Sequence, residues 1–475
     1  MKRQRFFRLV LVVSLTMAVS IGALGVWPAR SAVPHLGYGF NVEDAGAGAI
    51  TLLQMGFNWI KIFDVPGTTL PQSILLRVDV TSATTVPGLL ADLDNKLNYL
   101  TANSLSVHAW EIGNEPNIDA EYGWGATPDP VAYKNLLCAA YAHLKAAQPD
   151  ALVVSAGLAP TGRVTTVPPH PDGNDGQKQD ERKYLQQMLA AGGSACLDAV
   201  GYHPYGYSAD YNAAPDVVSG DPTQNCDQGF CFRGAEKIYE VMQNAGLGNK
   251  KVWATEFGWI TAPADPACLN DPSWSGRQWQ IVTEDKRAAN LVGAYQYADN
   301  NWPWMGAMFV FNLDFNQLPG LGACDQMRSY DVRDTPAQTA LSNMTKNAAS
   351  IEGKLKTDIS QLALMIGVSE QPITLPVSIG LSNWGWNPAY YTATVSGGMN
   401  VVPGILNPTG ALSGTAQQPL NLEITSTTRP TGTYTGQVTV NWSAAGVSNP
   451  TARKVDLQLM VVDQIHFVYL PLVTR

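Results

Sequence analysis

Between about residues 34 and 350, short apolar runs alternate with amphipathic segments, and this rhythm constrains the fold more than any other feature of the chain. Eight such runs stand out, at residues 35–40, 59–63, 74–80, 106–112, 151–156, 199–202, 252–255 and 304–312. Several, such as LVVSA and WMGAMFVF, are apolar almost throughout, as strands covered on both faces must be. The intervening segments carry helix signals. Asp129-Pro130 offers an N-cap and a first-turn proline, and Tyr133, Leu136, Leu137, Ala140, Tyr141 and Leu144 then form one stripe. A second helix opens at Thr283, with Glu284 and Asp285 in its first turn and Ala288, Leu291, Val292 and Tyr295 on its apolar face. Strand–helix repeats in this number predict an α/β fold, a (β/α)8 TIM barrel. One interval breaks the rhythm. Residues 64–73 are too few for a crossover helix, so either that helix is missing or a neighbouring strand is misplaced.

Beyond about residue 355, charge thins and helical periodicity stops. Strand-like runs recur at 373–379, 391–395, 420–424, 436–440 and 455–461, separated by Gly, Pro, Asn and Ser. This predicts a small all-β sandwich of immunoglobulin-like type, and a chain of 475 residues has room for two domains. The expected division is a signal peptide at 1–31, the barrel at 33–355 and the sandwich at 360–475. Basic MKRQRFFR, the apolar run 9–27 and Ala29-Arg30-Ser31 read as a cleaved export signal, with an uncleaved membrane anchor as the alternative. The expected location is therefore secreted or at the cell surface. The closing VYLPLVTR is too short to span a bilayer and reads as a last strand or a sorting tag.

Charge and cysteine usage narrow the partners. Removal of residues 1–31 deletes five basic residues and no acid, taking the formal charge from −9 to −14. So acidic a chain is poorly suited to nucleic acid or to an anionic membrane, which leaves neutral ligands. No cysteine precedes Cys138, so a lipid-anchored cysteine at the signal junction is excluded. Six cysteines lie between Cys138 and Cys324, an even number that predicts disulfides in an exported chain. Cys226 and Cys231 share one loop, Cys268 and Cys324 fall in adjacent strand-end loops, and Cys138 is left with Cys196. Neither CxxC nor HExxH occurs and the six histidines are scattered, so neither a metal site nor a cofactor is expected.

Two glutamates are placed where a barrel does chemistry. Glu115 lies in WEIGNEPN just after the fourth run, and Glu256 lies in VWATEFGW just after the seventh. Barrel sites form at the carboxyl ends of the strands, so both side chains should reach one mouth. Either glutamate alone would read as an exposed or ion-paired carboxylate. A pair of carboxyl groups flanking one bond is what glycoside hydrolysis requires.

The ordered series EIGNEPN, Pro128-Asp129-Pro130, VSAGLAP (153–160 region), GYHPYG (201–206), ATEFGW (254–259) and FVFNLDF resembles glycoside hydrolase clan A. It looks most like the relatives of family 39 and the family 5 cellulases. The resemblance implies a retaining double displacement, with Glu115 as acid/base and Glu256 as nucleophile. It also implies that Asn114 bonds the sugar 2-hydroxyl and that His203 and Tyr205 flank the nucleophile and keep it ionised. The expected substrate is a β-glycan, a β-xyloside or a microbial exopolysaccharide, and the chain is expected to act as a monomer. TGTYTGQVTV (431–440) resembles the BACON and immunoglobulin-like modules of secreted bacterial enzymes, read here as a spacer rather than a sugar-binding module.

Other residues are candidates on physical grounds. Lys61 and Arg77 end apolar strands, where an unpaired charge is costly, so they face the mouth or pair with a carboxylate. Trp124 and Trp259 follow the two glutamates, and Trp274 and Trp279 lie in the next loop, so at least one indole should stack on a sugar ring. Clan members often carry tryptophan near the end of strand eight; here Phe309 and Phe311 precede Asn312, itself a candidate for substrate contact. Two other classes compete: a sugar-binding barrel without catalysis, and a surface adhesion protein that works through its sandwich. Serine hydrolysis and nucleotide binding are disfavoured, because GxSxG and the phosphate-loop pattern are absent.

Overall fold

The computed structural model describes residues 34–162, 173–348 and most of 353–463. The expected signal segment (1–31) and VYLPLVTR lie outside the described residues. The chain divides into two compact units, residues 35–348 and a second built from residues beyond 348.

The first unit runs β1 (Gly37–Phe40), α1 (Ala45–Gln54), β2 (Trp59–Ile62), β3 (Ser73–Val78), α2 (Val86–Ala102), β4 (Ala109–Ile112), α3 (Pro130–Ala147) and β5 (Leu152–Ser155). It continues with α4 (Glu181–Ala190), β6 (Ala199–Tyr202), α5 (Ala235–Asn244), β7 (Lys251–Phe257), α6 (Glu284–Asn301), β8 (Met305–Val310) and α7 (Pro336–Asn343). The strands form one parallel sheet in the order β1-β8-β7-β6-β5-β4-β3-β2. The ring closes at a parallel bridge between Asn41 and Lys61, where the Val42 N–H donates to the Lys61 carbonyl at 3.0 Å. This is a TIM barrel. The short interval after β2 resolves as a missing helix: residues 63–72 form only bends and irregular chain, yet β2 and β3 still pair in parallel, Lys61 opposite Leu75.

Local chemistry explains the helices. The Asp129 carboxylate accepts from the N–H groups of Val131 and Ala132, and α3 buries Tyr133, Leu136, Leu137, Ala140 and Leu144. Tyr141 sits at the edge of that stripe, half-buried. Thr283 caps α6 through Lys286 N, and Leu291, Ala294, Tyr295 and Ala298 are buried beneath it.

The strands divide their side chains between two cores. Ile60, Leu76, Trp110, Val153, Val200 and Val252 pack outward with the helices. On the other face Trp59 meets Trp253 edge-on at 5.1 Å, and β2 and β7 are not neighbours in the sheet, so this contact crosses the barrel interior. β1 contributes glycine there. A Cβ on Gly37 would stand 2.7 Å from the Trp59 ring, so the indole occupies space that any other residue would fill. Nearer the carboxyl ends, the buried interior turns polar with Lys61 and Glu111.

The second unit is a two-sheet sandwich. One sheet has the order β10 (Gln361–Gly367), β17 (Arg453–Val462), β16 (Gly432–Ala444), β12 (Ala389–Ser396), β14 (Thr409–Leu412). The other has the order β13 (Val402–Ile405), β15 (Gln417–Ser426), β11 (Ile373–Asn383), β9 (Leu355–Thr357). Their shared core takes Ile379, Leu381, Leu420 and Leu422 from one sheet and Tyr391, Val440, Leu457 and Leu459 from the other. The alternation Val455, Leu457, Leu459, Val461 is the period-two pattern of a strand buried on one face. No helix among the described residues is long and apolar enough to cross a membrane.

Candidate active site

Both glutamates stand at strand ends. Beyond β4, Gly113 takes φ +92° and the chain turns so that Asn114 and Glu115 face the barrel mouth. Glu115 itself has φ +40°, a left-handed conformation that costs a non-glycine residue of order 1–3 kcal/mol. Its N–H donates to the Gly157 carbonyl at 3.0 Å, and its own carbonyl accepts from Ile118 N at 3.1 Å. Glu256 is the penultimate residue of β7 and is buried.

The two carboxyl groups meet across His203. A carboxylate oxygen of each and one ring nitrogen of His203 all lie within 4.8 Å of one another. His203 Nδ1 is 2.8 Å from Glu115 Oε1 and 3.7 Å from Glu256 Oε2. The Tyr205 hydroxyl donates to Glu256 Oε2 at 2.8 Å, and Lys61 Nζ donates to Glu256 Oε1 at 3.1 Å. Arg77 Nη1 approaches the same Oε1 at 3.9 Å.

Burial by itself would raise the Glu256 pKa, but the charges of His203, Lys61 and Arg77, with the Tyr205 hydroxyl, outweigh it and bring the group from 4.5 down to about 2. Burial, reinforced by the Glu256 charge, pushes the Tyr205 phenol well above its ordinary value, so it remains a donor. Asn114 spends its amide on the protein: Oδ1 accepts from Arg77 at 3.4 Å and Nδ2 donates to the Tyr122 carbonyl at 2.8 Å.

Glu115, Glu256, Asn114, Arg77 and Tyr205 open into one cleft of about 750 Å³. Lys61 does not line it; it is fully buried beneath Glu256. Three of the four tryptophans are packing residues. Trp124 is buried edge-on to Tyr133, Trp274 is buried with its N–H on the Cys324 carbonyl, and Trp259 is buried with its N–H on the Ala209 carbonyl at 2.7 Å. Trp124 and Trp259, expected as candidate sugar platforms, are buried and do not line the cleft. Asn312 is likewise buried, donating to the Met327 carbonyl and accepting from Phe315 N, which pins the loop after β8 instead of reaching the cleft.

Trp279 is different. It is 49% exposed, lines the cleft, and stacks on Tyr207 at 5.5 Å with an interplanar angle of 10°. Phe230 closes against Tyr207 at 4.6 Å. Tyr122, Tyr207, Phe230, Arg277 and Tyr330 also face the cleft, and none stood out in the sequence. Disulfides brace these walls. Cys226–Cys231 clips the loop that carries Phe230, and Cys268–Cys324 ties the loop of Arg277 and Trp279 to that of Tyr330. Cys138–Cys196 joins the middle of α3 to the approach of β6, and the Cα separations of 4.7–5.2 Å suit all three bonds.

Gly206 shows how tightly Tyr205 is set. A Cβ there would fall inside the indole ring of Trp259, and that ring is pinned by its bond to Ala209. Gly206→Ala should destabilise the barrel by about 3 kcal/mol, lowering the melting temperature by roughly 5–10 °C. Differential scanning calorimetry checks this; an unchanged melting temperature would mean that the Trp259 wall yields freely.

No protein-family model matches the chain, and no curated protein sequence matches it. Among solved structures it is similar to a Bacteroides uniformis beta-glucuronidase 2, at 11% identity and a TM-score of 0.41, over 90% of this chain and 46% of that one. The chain thus spans less than half the length of that protein. It is also similar to a GH128 endo-beta-1,3-glucanase from Amycolatopsis mediterranei, at 13% identity and a TM-score of 0.39, over 65% of this chain and 99% of that one. A beta-1,3-glucanase and allergen of Cryptomeria japonica pollen matches at 16% identity and a TM-score of 0.39, over 63% of this chain and 95% of that one. At these values the architecture rests on the chain's own strand order and closure.

Proposed function

We propose that the protein is a retaining glycoside hydrolase that cleaves a β-linked oligo- or polysaccharide outside the cell. The observation that carries this reading is the pair of carboxyl groups whose oxygens approach within 4.8 Å at the floor of an open cleft. A retaining pair stands ~5–5.5 Å apart, because the nucleophile itself must reach the anomeric carbon, whereas an inverting pair needs roughly 6.5–9.5 Å to admit a water.

In the first step a Glu256 oxygen bonds to the anomeric carbon, and the glycosidic C–O bond breaks. Glu115 gives its proton to the departing oxygen. In the second step Glu115 takes a proton from water, whose oxygen displaces Glu256 from the sugar. Glu256 enters ionised because Lys61, Arg77 and the Tyr205 hydroxyl hold its charge. His203 Nδ1 sits between the two carboxyl groups and fixes their spacing. Three disulfides within the barrel unit support an oxidising location.

Hydrolysis of a panel of aryl β-glycosides and β-glycans tests the reading, with proton NMR of the first-formed sugar. Retained anomeric configuration is expected; an inverted first product would remove Glu256 from the nucleophile's role. Trp279 supplies a second measurement. Its exposed indole, backed by Tyr207, offers a flat apolar face along the cleft wall. Trp279→Ala should lower kcat/KM on polymeric substrate by about tenfold, equivalent to about 1.4 kcal/mol, and leave an aryl monoglycoside nearly unchanged. Equal losses on both substrates would place Trp279 outside the sugar-binding surface.

A further inference from the structure

Glu111, on β4 inside the barrel, takes no part in the chemistry described above, yet it is connected to both carboxylates. It is fully buried and does not line the cleft. Its Oε2 forms an ion pair with Lys61 Nζ at 2.8 Å, and Lys61 in turn donates to Glu256 at 3.1 Å and to the Thr255 carbonyl at 3.3 Å. The contact with Glu111 is an ion pair, and the ammonium's hydrogen bonds go to Glu256 and the Thr255 carbonyl. The other oxygen, Oε1, accepts from Gly157 N at 3.2 Å. Gly157 then receives the Glu115 N–H on its carbonyl, and it packs so closely on His203 that a Cβ would enter the imidazole ring.

The arrangement has a consequence for the charge of the site during turnover. Before reaction Lys61 faces two carboxylates. When Glu256 becomes an ester of the sugar, it loses its negative charge, and Lys61 keeps only Glu111. A buried ammonium without a counter-ion is strongly unfavourable. We infer that Glu111 is a positioning residue that serves as the standing counter-ion of Lys61 while Glu256 is esterified. It thereby stabilises the covalent intermediate, and its second oxygen holds the Gly157 strap on which Glu115 and His203 rest. This inference rests on the proposed double displacement.

The two half-reactions respond in opposite senses to removal of Glu111. Forming the ester discharges Glu256, and breaking it restores that charge beside Lys61. In Glu111→Gln, ester formation should therefore slow by on the order of tenfold or more, while ester breakdown should be unchanged or faster. Loosened packing alone would slow both.

The experiment uses the 2-deoxy-2-fluoroglycosyl fluoride of whichever sugar the unaltered full-length enzyme hydrolyses best as an aryl glycoside. Attack by Glu256 forms the C–O bond and expels fluoride with its electron pair, so the inactivation rate reads formation. Reactivation in buffer reads breakdown, and peptide mass spectrometry locates the adduct. The double variant Lys61→Met/Glu111→Leu leaves no ammonium to be stranded by ester formation, so its ratio of formation to breakdown should be no lower than the unaltered ratio. This arm also serves if Glu111→Gln fails to fold.

Opposite responses in the single variant, or a ratio in the double that is not lowered, support the inference. Equal slowing of both steps in the single variant, or a ratio in the double lowered by tenfold or more, overturns it alone. If no sugar is hydrolysed, or no adduct forms on Glu256 in the unaltered enzyme, both this inference and the retaining reading fall.

Discussion

Glu256→Ala is expected to cut turnover of aryl and natural β-glycosides by on the order of 10^5-fold, because the variant has no group to form the covalent intermediate. Sodium azide should restore activity toward activated substrates, since the truncated side chain leaves room for a small anion at the same face of the sugar. The product should be the glycosyl azide of inverted configuration, identified by proton NMR. Residual activity within tenfold of the unaltered enzyme would end the assignment.

The pH dependence follows from the same surroundings. The folded-state pKa of Glu256, about 2, lies below its ordinary 4.5. Its ionised form therefore contributes stability that is fully present above pH 4.5 and is lost as pH falls from there toward 2. Activity should accordingly show no loss attributable to this carboxylate between pH 6 and its ordinary 4.5. In Glu256→Ala the acid-side stability midpoint should move, because Lys61 and Arg77 lose the partner that sets that window.

The barrel was readable because its strands are buried on both faces. Runs such as LVVSA and WMGAMFVF have no polar side to confuse with a helix, and each lies within a few residues of β5 and β8. The missing crossover after β2 was visible as a length too short for a helix. In the second unit the long strands β11, β12, β15, β16 and β17 carried the period-two signal. The short β9, β13 and β14 carried too few residues to show one, and β10 alternates only partly exposed side chains along most of its length.

The site was legible where function forces residues together in sequence, at NEP and TEF, and obscure elsewhere. Aromatic residues illustrate the difficulty. Trp124, Trp259, Trp274 and Trp279 are the same residue type at comparable distances from the glutamates, and only burial separates the three that pack from the one that faces the cleft. Tyr207 and Phe230 lie in one long loop and meet only through its return. Glu111 had a usable signal. A charge within an apolar strand is costly unless paired, and the reasoning that marked Lys61 and Arg77 applies equally to it.

Glu115→Ala separates proton donation from attack, and its expected effect depends on the leaving group. A poor leaving group such as an alcohol or another sugar must be protonated as the bond breaks, so loss of Glu115 should cost about 10^2- to 10^4-fold in kcat/KM. A dinitrophenolate departs without a proton, so formation of the intermediate from a dinitrophenyl glycoside should be nearly unaffected. Breakdown then becomes slow, because no base remains to take the proton from water. A burst of dinitrophenol followed by a slow steady state is expected in stopped-flow absorbance. Azide needs no such base, so it should accelerate the steady state and give the glycosyl azide of retained configuration. The configuration is decisive. Glu256 still occupies one face of the sugar in this variant, and azide can enter only from the face that Glu115 vacates. Lys61 and Tyr205 still donate to Glu256 in this variant, so the nucleophile stays ionised. An equal fall on dinitrophenyl and alkyl glycosides, without a burst, would exclude Glu115 as the acid and leave its strained backbone at φ +40° without a catalytic purpose.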